Sequence, residues 1–323
     1  MSDATQPRMV LEGISKRFGK LLALDGVSLT VGPGEILSFV GPNGAGKTTA
    51  IHILLGLLRA ASGRGSLLGR PLGDAAARAQ VGYVPDAPVF FPGNAMDAVA
   101  FAARLSGARP VRGRIEETLQ RVGVHEWRRD VRTFSRGMQQ RLALAQALIH
   151  EPLVLILDEP AAALDPVGVV EVRALLKALR AQGVSILFSS HQLAEVEEIS
   201  DRIAFLQDGR LLRYGALAEP LGADGWMRVV MRGTPLASFQ EYEVAATQAD
   251  TVAWELPRDL HRACIEAGWS AGAELVRAEP RTRSLAELYL QWSRDGKAAG
   301  NKSCENASGH DRAGSGSRSG AGR

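Results

Sequence analysis

Two kinds of hydrophobic pattern alternate along this 323-residue chain. Short runs, apolar throughout or at every second position and closed by Gly, Pro, Asp or Asn, read as strands. They cover Met9–Ile14, Val27–Val31, Glu35–Val40, Arg64–Leu68, Gln80–Val84, Leu153–Leu157 and Val184–Ser190. Between them, apolar residues recur at helical steps through Leu58, over 95–122 with a break from Gly107 to Pro110, from Ser135 to about His150, and to about Gln182. Leu153–Leu157 is apolar on both faces, as a strand inside a parallel sheet must be. Ile203–Leu206 and Arg210–Tyr214 meet at Asp208-Gly209, a hairpin turn. This alternation predicts an α/β fold with a mainly parallel sheet. Beyond Gly225 the pattern changes to strands at Trp226–Met231 and Ala273–Ala278 and helices at Leu236–Tyr242 and Leu260–Gly268, a small α+β domain. No internal repeat is visible.

Composition narrows the class. Hydrophobic residues make up 46% and charged residues 23%, as in ordinary globular proteins. No apolar run approaches the roughly 20 residues that cross a bilayer, and Met1–Arg8 is polar with no signal-peptide core. The expectation is a cytoplasmic chain that reaches a membrane only through a partner. Cys264 and Cys304 form no CxxC or metal pattern and read as free thiols. The net charge of +3 resides in the last thirty residues, with six Lys/Arg against three Asp/Glu. The remainder is balanced, which argues against a nucleic-acid partner. The Gly/Ser-rich tail lacks aliphatics and is expected to be disordered.

The chemistry centres on Gly41-Pro42-Asn43-Gly44-Ala45-Gly46-Lys47-Thr48-Thr49, which fits the phosphate loop G-x-x-x-x-G-K-[ST]. A buried-type strand precedes it and a helical pattern follows. Glycines let backbone N–H groups turn inward, and the helix N-terminus adds unpaired donors and a positive dipole end. Lys47 can reach the β- and γ-phosphates, and the Thr48 hydroxyl can ligate Mg²⁺.

A second group lies at strand ends. Asp158 and Glu159 follow Leu153–Leu157, where open α/β sheets bind ligands. Asp158 suits an outer-shell Mg²⁺ contact, and Glu159 suits a general base for an attacking water. His191 follows Val184–Ser190 and either hydrogen-bonds a γ-phosphate or serves the structure. Asp86 is exposed by the break Pro85-Asp86-Ala87-Pro88, and Ser135 stands as an N-cap. Phe18, on a loop, either stacks on a base or fills the core.

These residues together resemble the ATP-binding subunit of ABC transporters over about Met9–Leu221. Phe18 matches that family's adenine-stacking aromatic, Gly41–Thr48 its Walker A loop and Leu153–Glu159 its Walker B strand with the catalytic glutamate. Ser135-Arg136-Gly137-Met138-Gln139 occupies the signature position, Ala163-Leu164-Asp165 the D-loop and His191 the switch histidine. The resemblance implies ATP and Mg²⁺ as cofactors and two ATPs held between head-to-tail subunits. Ser135 and Gly137 would then contact the γ-phosphate bound to the opposite protomer. It also implies nucleotide-side roles for Asp165 and Asp86, the latter with a share of the metal. The sequence departs from the family pattern in three ways: Asp86 replaces a glutamine, Arg136 the first signature glycine with Met138 displacing the signature glutamine, and Ala161 a Thr or Ser. The Ser-Arg-Gly-Met form is similar to exporter-type subunits that couple to separate permeases, a subgroup in which an acid at the Asp86 position also occurs. Tyr83-Val84-Pro85-Asp86, this signature and the Ser284–Tyr289 ending also resemble the ATPase of the nitrous-oxide reductase maturation system.

The expected organisation is an ABC-type P-loop domain over 1–224 with a helical subdomain at about 87–150, an accessory domain over 225–293, and a tail over 294–323. The expected function is an ATPase that pairs with a second ATP-binding subunit and drives a membrane permease, in export, from the cytoplasmic face. The alternative is an ABC ATPase acting on a non-membrane partner; the single phosphate loop and the absence of long coiled coils or zinc cysteines weigh against the ribosomal and DNA-repair types. A regulatory nucleotide binder would not need Lys47, Asp158, Glu159 and His191 together.

Overall fold

A computed structural model describes residues 6–217, 225–233, 235–244, 250–281, 284–290 and 292–293. Cys304 and the tail from 294 onward lie outside them. The chain divides into two compact units, Met1–Leu217 with Leu290–Arg323, and Ala218–Tyr289.

The first unit opens with β1 (Met9–Phe18), β2 (Leu21–Val31), β3 (Ile36–Val40) and α1 (Lys47–Leu54). It continues through β4 (Ser62–Leu67), β5 (Arg70–Pro71), α2 (Ala75–Arg78) and β6 (Val81–Val84). Three helices follow, α3 (Ala95–Leu105), α4 (Arg112–Arg121) and α5 (Arg136–Leu148). The unit then alternates β7 (Val154–Asp158), α6 (Pro166–Ala181), β8 (Ser185–Ser190) and α7 (Leu193–Ile199), and ends in the hairpin β9 (Arg202–Gln207) and β10 (Arg210–Ala216).

Two sheets result. The antiparallel one has the order β2-β1-β4-β5, and the larger one β10-β9-β3-β8-β7-β6. In the larger sheet every pairing is parallel except β9 with β10. β3, β7 and β8 are buried at every position, which is what central parallel strands require. One hydrophobic core takes Met9, Leu11 and Leu29 from the antiparallel sheet, Ile51 and Leu54 from α1, and Phe39, Ile156 and Leu187 from the parallel sheet.

The register of this sheet positions the site. Val40 pairs with Ser190, and Asp158 pairs with Ser189. The segments following β3, β7 and β8 therefore leave the same edge of the sheet side by side.

Helix boundaries follow local chemistry. Ser135 caps α5 by accepting from the Met138 N–H at 3.2 Å. Asp165 caps α6 by accepting from the Gly168 N–H at 2.9 Å, with Pro166 in the first turn. Two expectations are corrected. The helix expected through Leu58 ends at Leu54, because Gly56 turns at φ 70° so close to Gly73 that a Cβ would lie 2.4 Å from its Cα. Phe18 closes β1 instead of lying on a loop, since it pairs with Leu21 across the β1–β2 turn.

The second unit is an antiparallel sheet of order β12-β13-β11-β14, made of β11 (Trp226–Arg232), β12 (Glu243–Val244), β13 (Thr251–Pro257) and β14 (Glu274–Pro280). The helix α8 (His261–Ser270) adds Cys264 to a core with Val229, Met231, Trp254 and Leu256. The segment expected as a helix over Leu236–Tyr242 is a 3-10 turn from Ala237 to Tyr242, distorted at Phe239. Residues 285–290 are helical.

Candidate functional site

A cavity of about 550 Å³ is lined by Phe18, Leu21, Leu22, Ala23, the loop from Pro42 to Thr49, Asp86, Asp158, Glu159, Asp208 and Gly209. Its floor is the β3–α1 loop. Gly41 has φ 156°, and a Cβ there would lie 2.1 Å from the Leu206 carbonyl oxygen of β9. Gly46 has φ 105°, and its Cβ would lie 2.6 Å from the Ala23 carbonyl oxygen. Any side chain at either position would push the loop off the strands that hold it.

Lys47 begins α1 with its side chain 7% exposed. Its ammonium donates to the carbonyls of Gly41 at 2.7 Å and Pro42 at 3.3 Å, and stands 3.6 Å from Glu159 Oε1. Thr48 Oγ1 donates to Asp158 Oδ2 at 2.7 Å. A hydroxyl and a carboxylate at that separation supply the hard oxygens that suit Mg²⁺, an ion that fills its remaining positions with water and phosphate oxygens. Among the described residues no group of three or more His, Cys, Asp or Glu is placed to hold a metal ion by itself.

Ser189 ties the two acids together. Its hydroxyl donates to Asp158 Oδ1 at 2.5 Å and accepts from the Glu159 N–H at 2.9 Å. Glu159 itself has φ 51°, a left-handed conformation uncommon for a side-chain-bearing residue and held only where its surroundings enforce it. Its Oε2 lies 2.7 Å from His191 Nδ1. Tyr83, on β6, stands near both Asp158 and Asp86; burial and these two carboxylates push its phenol up to about 12, so it stays protonated. His52 Nε2 lies 3.3 Å from its hydroxyl.

Phe18 is 47% exposed at the cavity wall, with Lys16 Nζ 5.3 Å from its ring centroid. Asp86 borders this cavity and also a smaller one of about 270 Å³, shared with Arg136, Gln139, Gln140 and Glu159. Ser135, Gly137 and Asp165 do not line the larger cavity. Gly137 packs close to the segment after β7, where a Cβ would lie 3.1 Å from the Ala163 carbonyl oxygen. His191 is joined to the site through Glu159. Of the residues sequence reasoning missed, Ser189 had a signal: it is one of two successive hydroxyls closing a buried strand just before His191. Leu21, Leu22 and Asp208 had none, because only folding brings them to the cavity, and Tyr83 had none because only folding brings it near Asp158 and Asp86.

The sequence profile of the ABC transporter family matches residues 24–162. The chain is 38% identical over 282 residues to an uncharacterized ABC transporter ATP-binding protein of Synechocystis sp., covering 85% of this chain and 80% of that one. It is 35% identical over 301 residues to the uncharacterized ABC transporter ATP-binding protein YxlF of Bacillus subtilis, covering 87% of this chain and 98% of YxlF. The bacitracin transport ATP-binding protein BcrA of Bacillus licheniformis is 36% identical over 204 residues, 62% of this chain and 66% of BcrA. A solved ATP-binding cassette, dimeric and in a post-hydrolysis state with ADP and phosphate, matches with a TM-score of 0.59 at 25% identity over 65% of this chain and 98% of that one. This chain belongs to the ABC transporter ATP-binding family and is an ATPase subunit that binds and hydrolyses ATP.

Proposed function

We propose that the chain dimerises on ATP and drives a separate membrane permease from the cytoplasmic face, in the direction of export. The observation that carries the dimer is the division of the site. Lys47, Thr48, Asp158 and Glu159 meet in one cavity, while Ser135 and Gly137 lie off it. A second copy placed head to tail would bring its Ser135 and Gly137 to the exposed side of the bound phosphates. The likeness to a dimeric ATP-binding cassette supports this arrangement.

Within each site the residues divide the work. Phe18 offers a face for the adenine, and the Gly41–Thr49 loop cradles the phosphates with its backbone N–H groups. Thr48, Asp158 and Asp86 would hold Mg²⁺, which when bound would neutralise phosphate charge. Lys47 exchanges its bonds to Gly41 and Pro42 for phosphate oxygens. Glu159 takes the proton of the attacking water, and His191 steadies Glu159 or the γ-phosphate. Asp165 caps α6 in its own chain and borders the partner across the dimer.

The permease reading rests on three supports. Among the described residues no helix is long and apolar enough to cross a membrane. A groove of about 690 Å³ in the helical subdomain is bordered by Phe91, Phe101 and Leu105, which are 74%, 41% and 73% exposed. BcrA is a bacitracin transport ATP-binding protein, which favours an exported cargo.

Glu159→Gln is the test. It keeps the size of the side chain and removes the base, so ATP binding is retained and turnover falls by a factor on the order of 10²–10⁴. Size-exclusion chromatography with ATP then shows a trapped dimer. Hydrolysis within a few-fold of wild type would remove Glu159 from this role. A monomer at saturating ATP would remove the dimer.

A further inference from the structure

Glu195 is a buried carboxyl that the hydrolytic mechanism leaves unused. It is 4% exposed, in the first turn of α7. Its Oε2 accepts from the Ser190 hydroxyl at 3.1 Å, and Ser190 Oγ in turn accepts from the Gln192 N–H at 2.9 Å. The residue between these two anchors is His191, whose ring lies 2.7 Å from Glu159. Ser190 is itself fixed by its register beside Val40 at the mouth of the phosphate loop.

An acid at this helix position ordinarily reaches back to the N-cap N–H. Here Ser190 takes the Gln192 N–H and Glu195 holds Ser190, so the carboxyl clamps the turn that presents the histidine. Capping alone does not require the second oxygen, yet Oε1 is buried with no hydrogen-bond partner. Such a group is costly to bury. The charged neighbours are Arg173 on α6, whose buried Nε is also without a partner, together with Glu159 and His191. Burial pushes the Glu195 carboxyl up, against the opposing pull of Ser190, Arg173 and His191.

We propose that Glu195 is a positioning residue for hydrolysis: through Ser190 it fixes the 190–192 turn and so aims His191 at Glu159. The inference rests on His191 and Glu159 belonging to the catalytic machinery. Its action is a hydrogen bond accepted in a buried place, and an amide can accept that bond as well as a carboxyl.

The test is a set of variants of the full chain assayed for ATPase activity and thermal melting. Glu195→Ala lowers kcat about tenfold and leaves the KM for ATP within twofold. Ser190→Ala, which removes the link to Glu195 and with it the acceptor of the Gln192 N–H, lowers kcat similarly, whereas Glu195→Gln, which keeps both bonds, stays near wild type. In a double-mutant cycle, Glu195→Ala adds little further loss to His191→Ala. A lowered melting temperature with unchanged kcat in Glu195→Ala and Ser190→Ala would reduce the residue to a helix cap and overturn the proposal. Additive losses with His191→Ala would overturn it as well, because the path would not run through the histidine. If Glu195→Ala does not fold, Ser190→Ala and Glu195→Gln decide. Normal hydrolysis in His191→Ala would overturn both this inference and the histidine's catalytic reading. An inactive His191→Ala beside a normal Ser190→Ala would overturn this inference alone.

Discussion

Asp86 borders two cavities at once, one with the phosphate loop and one with Arg136 and Gln139 at the start of α5. When ionised its carboxylate only accepts hydrogen bonds; it can hold a Mg²⁺-bound water but cannot donate to a γ-phosphate as a glutamine amide would. Its place between the nucleotide side and the helical subdomain favours a coupling role with a minor part in the chemistry. Asp86→Ala is therefore expected to reduce permease-dependent transport several-fold more than basal ATP hydrolysis. Parallel assays of the two decide the matter: equal losses would make Asp86 catalytic, and no loss in either would make it a turn residue. At this scale, legibility depended on sequence distance. Lys47 and Thr48 could be read because their loop is contiguous, and Asp158 and Glu159 because they end an apolar run. Ser189 acts on an acid 31 positions away, and Glu195 acts through a serine whose own place depends on strand pairing. Neither role exists until the sheet forms.

At the scale of elements, β3, β7 and β8 are legible because burial on both faces leaves runs of apolar residues interrupted only by small hydroxyls before the strand ends. Their adjacency is not, since strand order is set by packing across the whole unit. β13 is not legible in the sequence, because Val252, Ala253 and Trp254 are apolar in succession and break the alternation over Thr251–Pro257. That strand is the centre of the second unit. It pairs with both β11 and β12, and Trp254 is fully buried beside Val229, Met231 and Cys264. Trp254→Ala removes the largest side chain of this small core and is expected to cost roughly 3–5 kcal/mol. The indole N–H is buried without a hydrogen-bond partner, so no bond is lost with the ring. Hydrogen exchange should show protection collapsing in β11, β13 and β14, while ATP binding stays within a few-fold because the cavity is lined only by residues before 217. Unchanged protection in the second unit would show that Trp254 does not hold it together.

For the whole molecule, the order of the units along the chain matters. The second unit is inserted, because the chain after Tyr289 belongs again to the first. Trp292 is 7% exposed, and its ring centroid lies 5.8 Å from that of Phe205, a fully buried residue of β9. β9 pairs with β3 and its Leu206 carbonyl abuts Gly41, so this aromatic pair lies one residue from the strand contact that shapes the phosphate loop. Two truncations then have different meanings. A cut after Arg294 removes the basic Gly/Ser-rich segment and keeps Trp292, so ATPase activity is expected to be unchanged. A cut before Trp226 removes the second unit and Trp292 together, and is expected both to weaken dimerisation or regulation and to lower the melting temperature of the ATPase unit. Trp292→Ala in the full chain separates the two effects: it should reproduce the loss of stability, by up to roughly 3–5 kcal/mol, with dimerisation on ATP intact. Sedimentation with ATP and thermal melting on the three variants read this out. If the shorter and longer chains lose activity equally, the boundary at Arg294 is wrong. If Trp292→Ala melts like wild type, the aromatic pair does not support the sheet edge, and the effect of the shorter chain belongs to the second unit alone.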